Sequence, residues 1–309
     1  MRQDYVSEEY SAMKHSGTLF VAILAIMLVS CASLQTWPAS GTTRPKIALV
    51  LGGGAARGFA HVGVIRELEH EKIPIDIIVG TSVGSLIGAI YANDRNSFEL
   101  EWTAFALEKD DIFDYALMTA ITGLGLVKGD KLEEFVKKKI SVQNIENLKL
   151  PFAAVATDLN RGTRVVIDKG SVAKAVHASS AIPGVFSPVD YQGRLLVDGG
   201  VMDNIPISVA KQKGADIVIA VDISESVINF NVTNVVDVVL QSVNIMFSEN
   251  VRFKKREADV LITPALGAVG MLDFTQKKRC MQAGIEATKL AIPDINKKID
   301  EWLKKQAQK

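Results

Sequence analysis

Residues Ile47 to Leu51 form an unbroken apolar run, and Ile75 to Val79 form another, interrupted only by Asp76. Each is followed by a glycine-containing turn and then by a stretch with helical character, such as Val62, Ile65 and Leu68 after the first. A strand that is apolar on both faces must be covered on both faces, which is the condition of parallel strands joined by helical crossovers. The same texture recurs along the chain. Further strands are expected at 152–157, 165–167, 195–197, 217–221 and 260–262, and helices at 59–71, 84–92, 130–140, 234–255, 275–290 and 293–305. The expected fold class is therefore α/β: one domain over residues 46–309, with a mostly parallel central sheet and helices on both faces, in three layers. A chain of 309 residues with 48% hydrophobic content can fill such a core without an internal repeat.

Charge narrows the possible partners. Thirty-five basic and thirty-five acidic residues give a formal net charge of zero, which gives no support to nucleic-acid binding. Basic residues do gather at 137–139, 254–256 and 277–279. Such clusters read as solvated helix faces or, alternatively, as contacts to anionic lipid headgroups.

The second strand runs into Gly80-Thr81-Ser82-Val83-Gly84 and then into helix-forming sequence. Strand, serine and helix in that order are what a nucleophile elbow requires: the turn holds the hydroxyl out of the fold, and Gly80 and Gly84 keep Cβ atoms away from a crowded backbone. The first strand ends in Gly52-Gly53-Gly54-Ala55-Ala56-Arg57-Gly58. Consecutive glycines leave backbone N–H groups free to converge on an anion, aided by the helix that follows. A dinucleotide fingerprint fails because its third glycine position holds Arg57, and no Gly-Lys-Ser or Gly-Lys-Thr exists for a Walker loop. An oxyanion loop beside Ser82 is the better reading, since loops after successive parallel strands emerge at one sheet edge.

The base is constrained by a census of histidines. They stand at 15, 61, 70 and 177, and none follows residue 177, so the usual order Ser, Asp, His is disfavoured, with His177 the one histidine that could close it. His61 reads as a packing residue, His70 as solvent-facing, and His177 precedes Ser179-Ser180 in an alanine-rich helix. A carboxylate is left as the base. Asp198 ends the strand Leu195 to Val197 and is followed by Gly199 and Gly200, which allow a sharp turn beside a ligand.

Taken together these segments resemble the patatin-like phospholipase family. The resemblance rests on Gly52-Gly53-Gly54-Ala55-Ala56-Arg57-Gly58, on Gly80-Thr81-Ser82-Val83-Gly84 and on Asp198-Gly199-Gly200, with a further family-like stretch over 178–186. It is strong over residues 46–222. It implies a Ser82–Asp198 dyad that cleaves fatty acyl esters of phospholipids or related lipids, with no metal and no cofactor. The loop of Gly52, Gly53, Gly54, Ala55, Arg57 and Gly58 would form the oxyanion hole, with Arg57 either bracing the loop or meeting a phosphate. Other readings are a hydrolase of soluble esters or thioesters and a non-catalytic lipid-binding protein. Ile121, Leu124, Leu126 and Met271 are apolar candidates for covering the site.

The N-terminal region adds an expectation about location. The apolar run Leu19 to Ser30 is shorter than the ~20 residues of a comfortable membrane span. It suits the h-region of a signal peptide over residues 1–30, with Lys14 as its positive flank. Asp4, Glu8 and Glu9 fit that flank poorly, so translation is expected to start at Met13. Leu28-Val29-Ser30-Cys31 resembles a bacterial lipobox, which implies lipidation of Cys31 and a tether over 31–45. Acyl chains contributing about 0.8 kcal/mol per buried methylene would hold the domain to a membrane of the bacterial envelope. Ala32 to Gln35 contain no aspartate, which favours the outer membrane in a cell that has one. The alternatives are cleavage near Ala39 to a soluble secreted protein and an uncleaved anchor.

Overall fold

The computed structural model describes residues 44–112, 127–224, 235–267, 269–270 and 273–308. Cys31, the signal segment with His15, Ile121, Leu124, Leu126 and Met271 lie outside the described residues. The compact unit begins at Arg44. Arg44 forks onto the Asp76 carboxylate at 2.6 and 2.7 Å, so the last two residues of the expected tether belong to the domain. Among the described residues, no helix is long and apolar enough to cross a membrane.

Among the described residues, eight strands form one sheet: β1 (Ile47–Leu51), β2 (Ile77–Thr81), β3 (Phe152–Asp158), β4 (Thr163–Ile167), β5 (Val189–Tyr191), β6 (Arg194–Asp198), β7 (Ile217–Val221) and β8 (Val260–Ile262). Their order is β5-β6-β3-β2-β1-β7-β8, with β4 also paired to β3. β1, β2, β3, β7 and β8 are mutually parallel, and β4, β5 and β6 join antiparallel. The expected mostly parallel α/β sheet is thus present, with an antiparallel edge that β5, too short to stand out in the sequence, helps to build.

The helices are α1 (Phe59–His70), α2 (Val83–Asp94), α3 (Ser97–Ala106), α4 (Lys109–Ile112), α5 (Asp130–Lys139), α6 (Val172–Ser179), α7 (Gly200–Asp203), α8 (Ile207–Gln212), α9 (Val235–Lys254) and α10 (Lys277–Ala307). β1 shows why both sheet faces must be apolar. Ala48 and Val50 pack with Ile207, Val209 and Val251 from α8 and α9. On the opposite face, α2 comes so close that a Cβ on Gly88 would touch Ile78, Phe152 and Leu51.

Two helix readings change. Ser97–Ala106 was not singled out from its periodicity, yet Asn96 caps it by accepting from the N–H groups of Phe98 and Glu99 at 3.0 and 3.2 Å. The two expected C-terminal helices are one continuous helix that contains Pro293. Proline removes one intrahelical bond, but Ala291, Ile295 and Ile299 remain buried around it. The helix also packs against α1, where Gly284 lies on the Ala60 carbonyl.

The basic clusters are less free than solvated faces would be. Lys137 pairs with Glu133 at 3.2 Å along α5. Lys254 pairs with Asp203 at 2.9 Å, and Lys277 binds the Phe105 and Leu107 carbonyls and Glu108.

Candidate active site

The sheet register sets the stage. Leu51 of β1 pairs with Gly80 of β2, so the loop after β1 and the turn after β2 leave the sheet side by side. Thr81 pairs with Val155, and the next residue, Ala156, pairs with Asp198 of the antiparallel β6. Ser82 and Asp198 therefore come level with each other on either side of β3, although their strands run in opposite directions.

Ser82 has φ +54° and ψ −129°, a backbone conformation that costs a non-glycine residue about 1–3 kcal/mol. Neighbours hold it there. Its N–H donates to Ser179 Oγ at 3.0 Å, and that hydroxyl donates to the Val155 carbonyl at 2.6 Å. Its carbonyl accepts from Ser85 Oγ at 2.7 Å. Ser82 caps α2, so the helix's partial positive charge lies at the base of the Ser82 side chain. A Cβ on Gly80 would strike the Gly84 carbonyl, and one on Gly84 would strike the Leu51 carbonyl, so both elbow glycines are required by close approach.

Asp198 is fully buried and its Oδ1 accepts the Gly200 N–H at 2.8 Å. Gly199 N–H is bound to the Ser179 carbonyl at 3.2 Å, so one short segment, Ser179 and its neighbours, positions both Ser82 and the Asp198 turn. Burial raises the Asp198 pKa to about 7 against the opposing pull of the Ser82 hydroxyl and the Gly200 N–H. The Ser82 hydroxyl stabilises the carboxylate without closing a fully formed hydrogen bond to Oδ2.

Within the glycine-rich loop the residues divide. Gly52 N–H donates to the Val221 carbonyl at 3.1 Å, and Gly53 N–H to Asn204 Oδ1 at 3.1 Å, so both amides are occupied by the protein itself. This corrects the expectation that they form part of the anion site. Of the next two residues, Ala55 lines the cavity onto which Ser82 opens. Gly53 still touches the site: a Cβ there would lie 3.1 Å from Ser82 Cβ and 2.6 Å from Asn204 Oδ1. Arg57 is 1% exposed and its Nε donates to the Gly54 carbonyl at 3.2 Å, which is the bracing role. Gly58 sits against the side chain of Val83, next to the nucleophile.

Three residues important to this arrangement were missed or undervalued. Asn204 embraces Gly53 by a second bond, from Nδ2 to the Gly53 carbonyl at 3.4 Å, and only the fold brings it there. Ser179 lay within a family-like stretch, but nothing local marked its hydroxyl as a support. His61 is fully buried with Nε2 2.8 Å from the Gly52 carbonyl. Burial holds its pKa down at about 4, so the ring is neutral and Nε2 carries the donated proton.

His61→Ala would leave that carbonyl without its buried donor and is expected to cost about 1–3 kcal/mol in urea unfolding. His61 also contributes stability that is lost as pH falls from 6.5 towards about 4, because the unfolded chain takes up the proton first. That acid-side loss should shrink in the variant. His177 turns away from Ser82 to Glu133, at 2.9 Å, and His70 is exposed on α1, so neither is a base for Ser82.

Ser82 opens onto a narrow, mostly apolar cavity of about 50 Å³. Its walls include Leu86, Ile87, Leu107, Ile112, Leu132 and Phe186, with Ser82 and Ser180 as the hydroxyl-bearing members of the lining.

Comparison with known proteins agrees with this geometry. A family model described as patatin-like phospholipase matches residues 49–211, more than half of the chain. An uncharacterised NTE family protein of Mycobacterium tuberculosis is 36% identical over 186 residues, covering 60% of this chain and 51% of that protein. A protein named lysophospholipase NTE1 from Scheffersomyces stipitis is 35% identical over 188 residues, covering 58% of this chain and 12% of the relative. The chain thus spans about half the length, or less, of the curated relatives it matches. The crystal structure of VipD from Legionella pneumophila superimposes with a TM-score of 0.54 at 15% identity, over 82% of this chain and 67% of that one, and shares its fold. With the elbow, the glycine loop and the aspartate turn all inside the matched span or adjoining one sheet edge, this chain belongs to the patatin-like phospholipase family.

Proposed function

We propose that the protein is a serine acyl hydrolase that cleaves fatty acyl esters of phospholipids or related lipids through a Ser82–Asp198 dyad. The observation that carries the reading is the meeting of a backbone-strained serine, an apolar cavity and a buried aspartate with a pKa of about 7. A base poised near neutral pH is what proton abstraction from a serine hydroxyl needs.

Ser82 Oγ attacks the ester carbonyl carbon while its proton passes to the Asp198 carboxylate. The carbonyl π electrons move onto oxygen, and the Gly54 and Ala55 N–H groups hold the resulting oxyanion. Collapse of this tetrahedral species breaks the ester C–O bond, and Asp198 returns the proton to the departing alkoxide. Water then repeats the sequence on the acyl-enzyme: Asp198 takes its proton, the fatty acid leaves, and Ser82 recovers its hydrogen. Loss of a single oxyanion donor typically slows such reactions by about 10²–10³. Leu86, Ile87, Leu107 and Phe186 line the space for the acyl chain.

The lipobox-like Leu28-Val29-Ser30-Cys31 supports a location in the bacterial envelope, with Cys31 lipidated and the domain held at a membrane containing its substrate. In a cell with two membranes, the residues after Cys31 favour the outer one.

A fluorophosphonate probe tests the enzyme reading: it should label the wild type and leave Ser82→Ala unlabelled. A folded wild type that takes up no probe, and releases no fatty acid from phospholipids or lysophospholipids, would rule it out.

A further inference from the structure

We propose that Glu67, His70 and Glu71, at the C-terminal end of α1, bind a divalent transition-metal ion, with zinc the best match. The three residues stand at i, i+3 and i+4, so they share one face of the last helical turn. His70 Nδ1 lies 3.1 Å from Glu71 Oε1 and 3.9 Å from Glu67 Oε1, and one ligand atom of each residue lies within 4.8 Å of the other two. Zinc bonds to nitrogen and oxygen, set at tetrahedral angles, leave neighbouring ligand atoms about 3.4 Å apart. The cluster is close to that size, and His70 and Glu71 are exposed, so their side chains can turn to close on an ion around the buried Glu67.

Glu67 separates this cluster from an ordinary charged helix end. It is 6% exposed, and its Oε1 is buried without a hydrogen-bond partner. Burying a carboxylate oxygen without a donor is costly, and this one faces His70 Nδ1 from beyond hydrogen-bond reach. An ion between the two would satisfy both. Among the described residues no lysine or arginine lies within 4 Å of either carboxylate, and Arg66 on the same helix is committed to Glu101 at 3.0 Å. Two ionised carboxylates and a neutral imidazole carry two negative charges, which a divalent ion neutralises. The helix C-terminus adds partial negative charge at the same place. A mixed set of imidazole and carboxylate suits zinc better than calcium or magnesium, which favour oxygen alone, and three protein ligands leave a fourth position for water.

α1 begins at the glycine loop and ends at this cluster. Its 12 residues put the two ends ~18 Å apart along the helix axis, so the ion takes no part in chemistry at Ser82. It would instead clasp the turn that follows α1. Lys72 adopts φ +57° there, and Ile73 N–H donates to the Leu68 carbonyl at 2.8 Å before the chain enters β2 and the elbow.

The test strips the full chain with a chelator and titrates zinc into it by calorimetry, with cobalt as a spectroscopic substitute. Zinc affinity should fall at least about tenfold in His70→Ala and in Glu67→Gln, because each loses a ligand. Ligands elsewhere in the chain, Cys31 and His15 among them, are common to all three proteins and cancel in the comparison. Zinc should also raise the thermal midpoint of the wild type more than that of either variant, and the visible d–d bands of bound cobalt should weaken in both. His70 is exposed, so His70→Ala should fold as the wild type does, and its metal-free midpoint verifies this. Equal zinc affinity and equal cobalt bands in wild type and His70→Ala would overturn the proposal, leaving a protonated His70 held between two carboxylates. None of these readouts uses hydrolysis, so the outcome is independent of the acyl hydrolase reading.

Discussion

Asp198→Asn should lower kcat/KM on acyl esters by about a hundredfold to ten-thousandfold, the range for loss of a general base, while making the protein more stable above neutral pH. Both effects have one cause. Burial raises the folded-state pKa from 3.8 to about 7, so between those values the folded protein holds a proton that the unfolded chain has released. Stability must therefore fall as pH rises across that window, by ~4 kcal/mol at most. An asparagine carries no charge and escapes the penalty, and its Oδ1 can still accept the Gly200 N–H.

On the proposed mechanism the rate should have the opposite dependence, because only an ionised carboxylate can take the Ser82 proton. Wild-type kcat/KM should rise with pH to a plateau above about 7, and Asp198→Asn should lack that limb. Thermal unfolding at about pH 8 beside a pH–rate profile measures both. A variant less stable than wild type at that pH would show that Asp198 is not a buried, strained charge. His61 titrates with the opposite sign in nearly the same window, so the two slopes partly cancel in the wild type and separate in the single variants.

Gly84→Ala is the largest expected structural loss, about 3 kcal/mol or more in denaturant unfolding. The added methyl would meet the carbonyls of Leu51 and Gly52. These are backbone atoms of β1 and the oxyanion loop, so no rotamer change relieves the clash: either α2 lifts from the sheet or the loop shifts away from Ser82. Activity should therefore fall even where the fold survives, and stability near that of wild type would show that the elbow is less tightly packed than the contacts require.

The two predictions concern residues that were legible for different reasons. Ser82, Gly80 and Gly84 are consecutive or nearly so, and a strand-to-helix turn is a local event, so the sequence displays it. Asp198 was legible through its own glycine turn and through the lack of any later histidine. Asn204 was not legible, because an asparagine between short helices resembles any turn residue until the fold sets it against Gly53. The bracing arginine stood open between two roles until its Nε was seen on the Gly54 carbonyl. The extent of the C-terminal helix was misread because proline is a local breaker, whereas burial of Ile295 and Ile299 is decided by what α10 packs against.

By itself the sequence determined the elements whose cause is local: apolar strands, glycine turns and helical periodicity, and hence an α/β domain with Ser82 at an elbow. The tertiary structure decided register and direction. β6 runs antiparallel to β3, and pairing of Ala156 with Asp198 brings the carboxylate level with the serine. Register depends on which backbone groups meet across distant stretches of chain, a choice made by the packing of the whole sheet and not by any one segment. The same packing buried Asp198 and so raised its pKa from the ordinary carboxylate range to about 7.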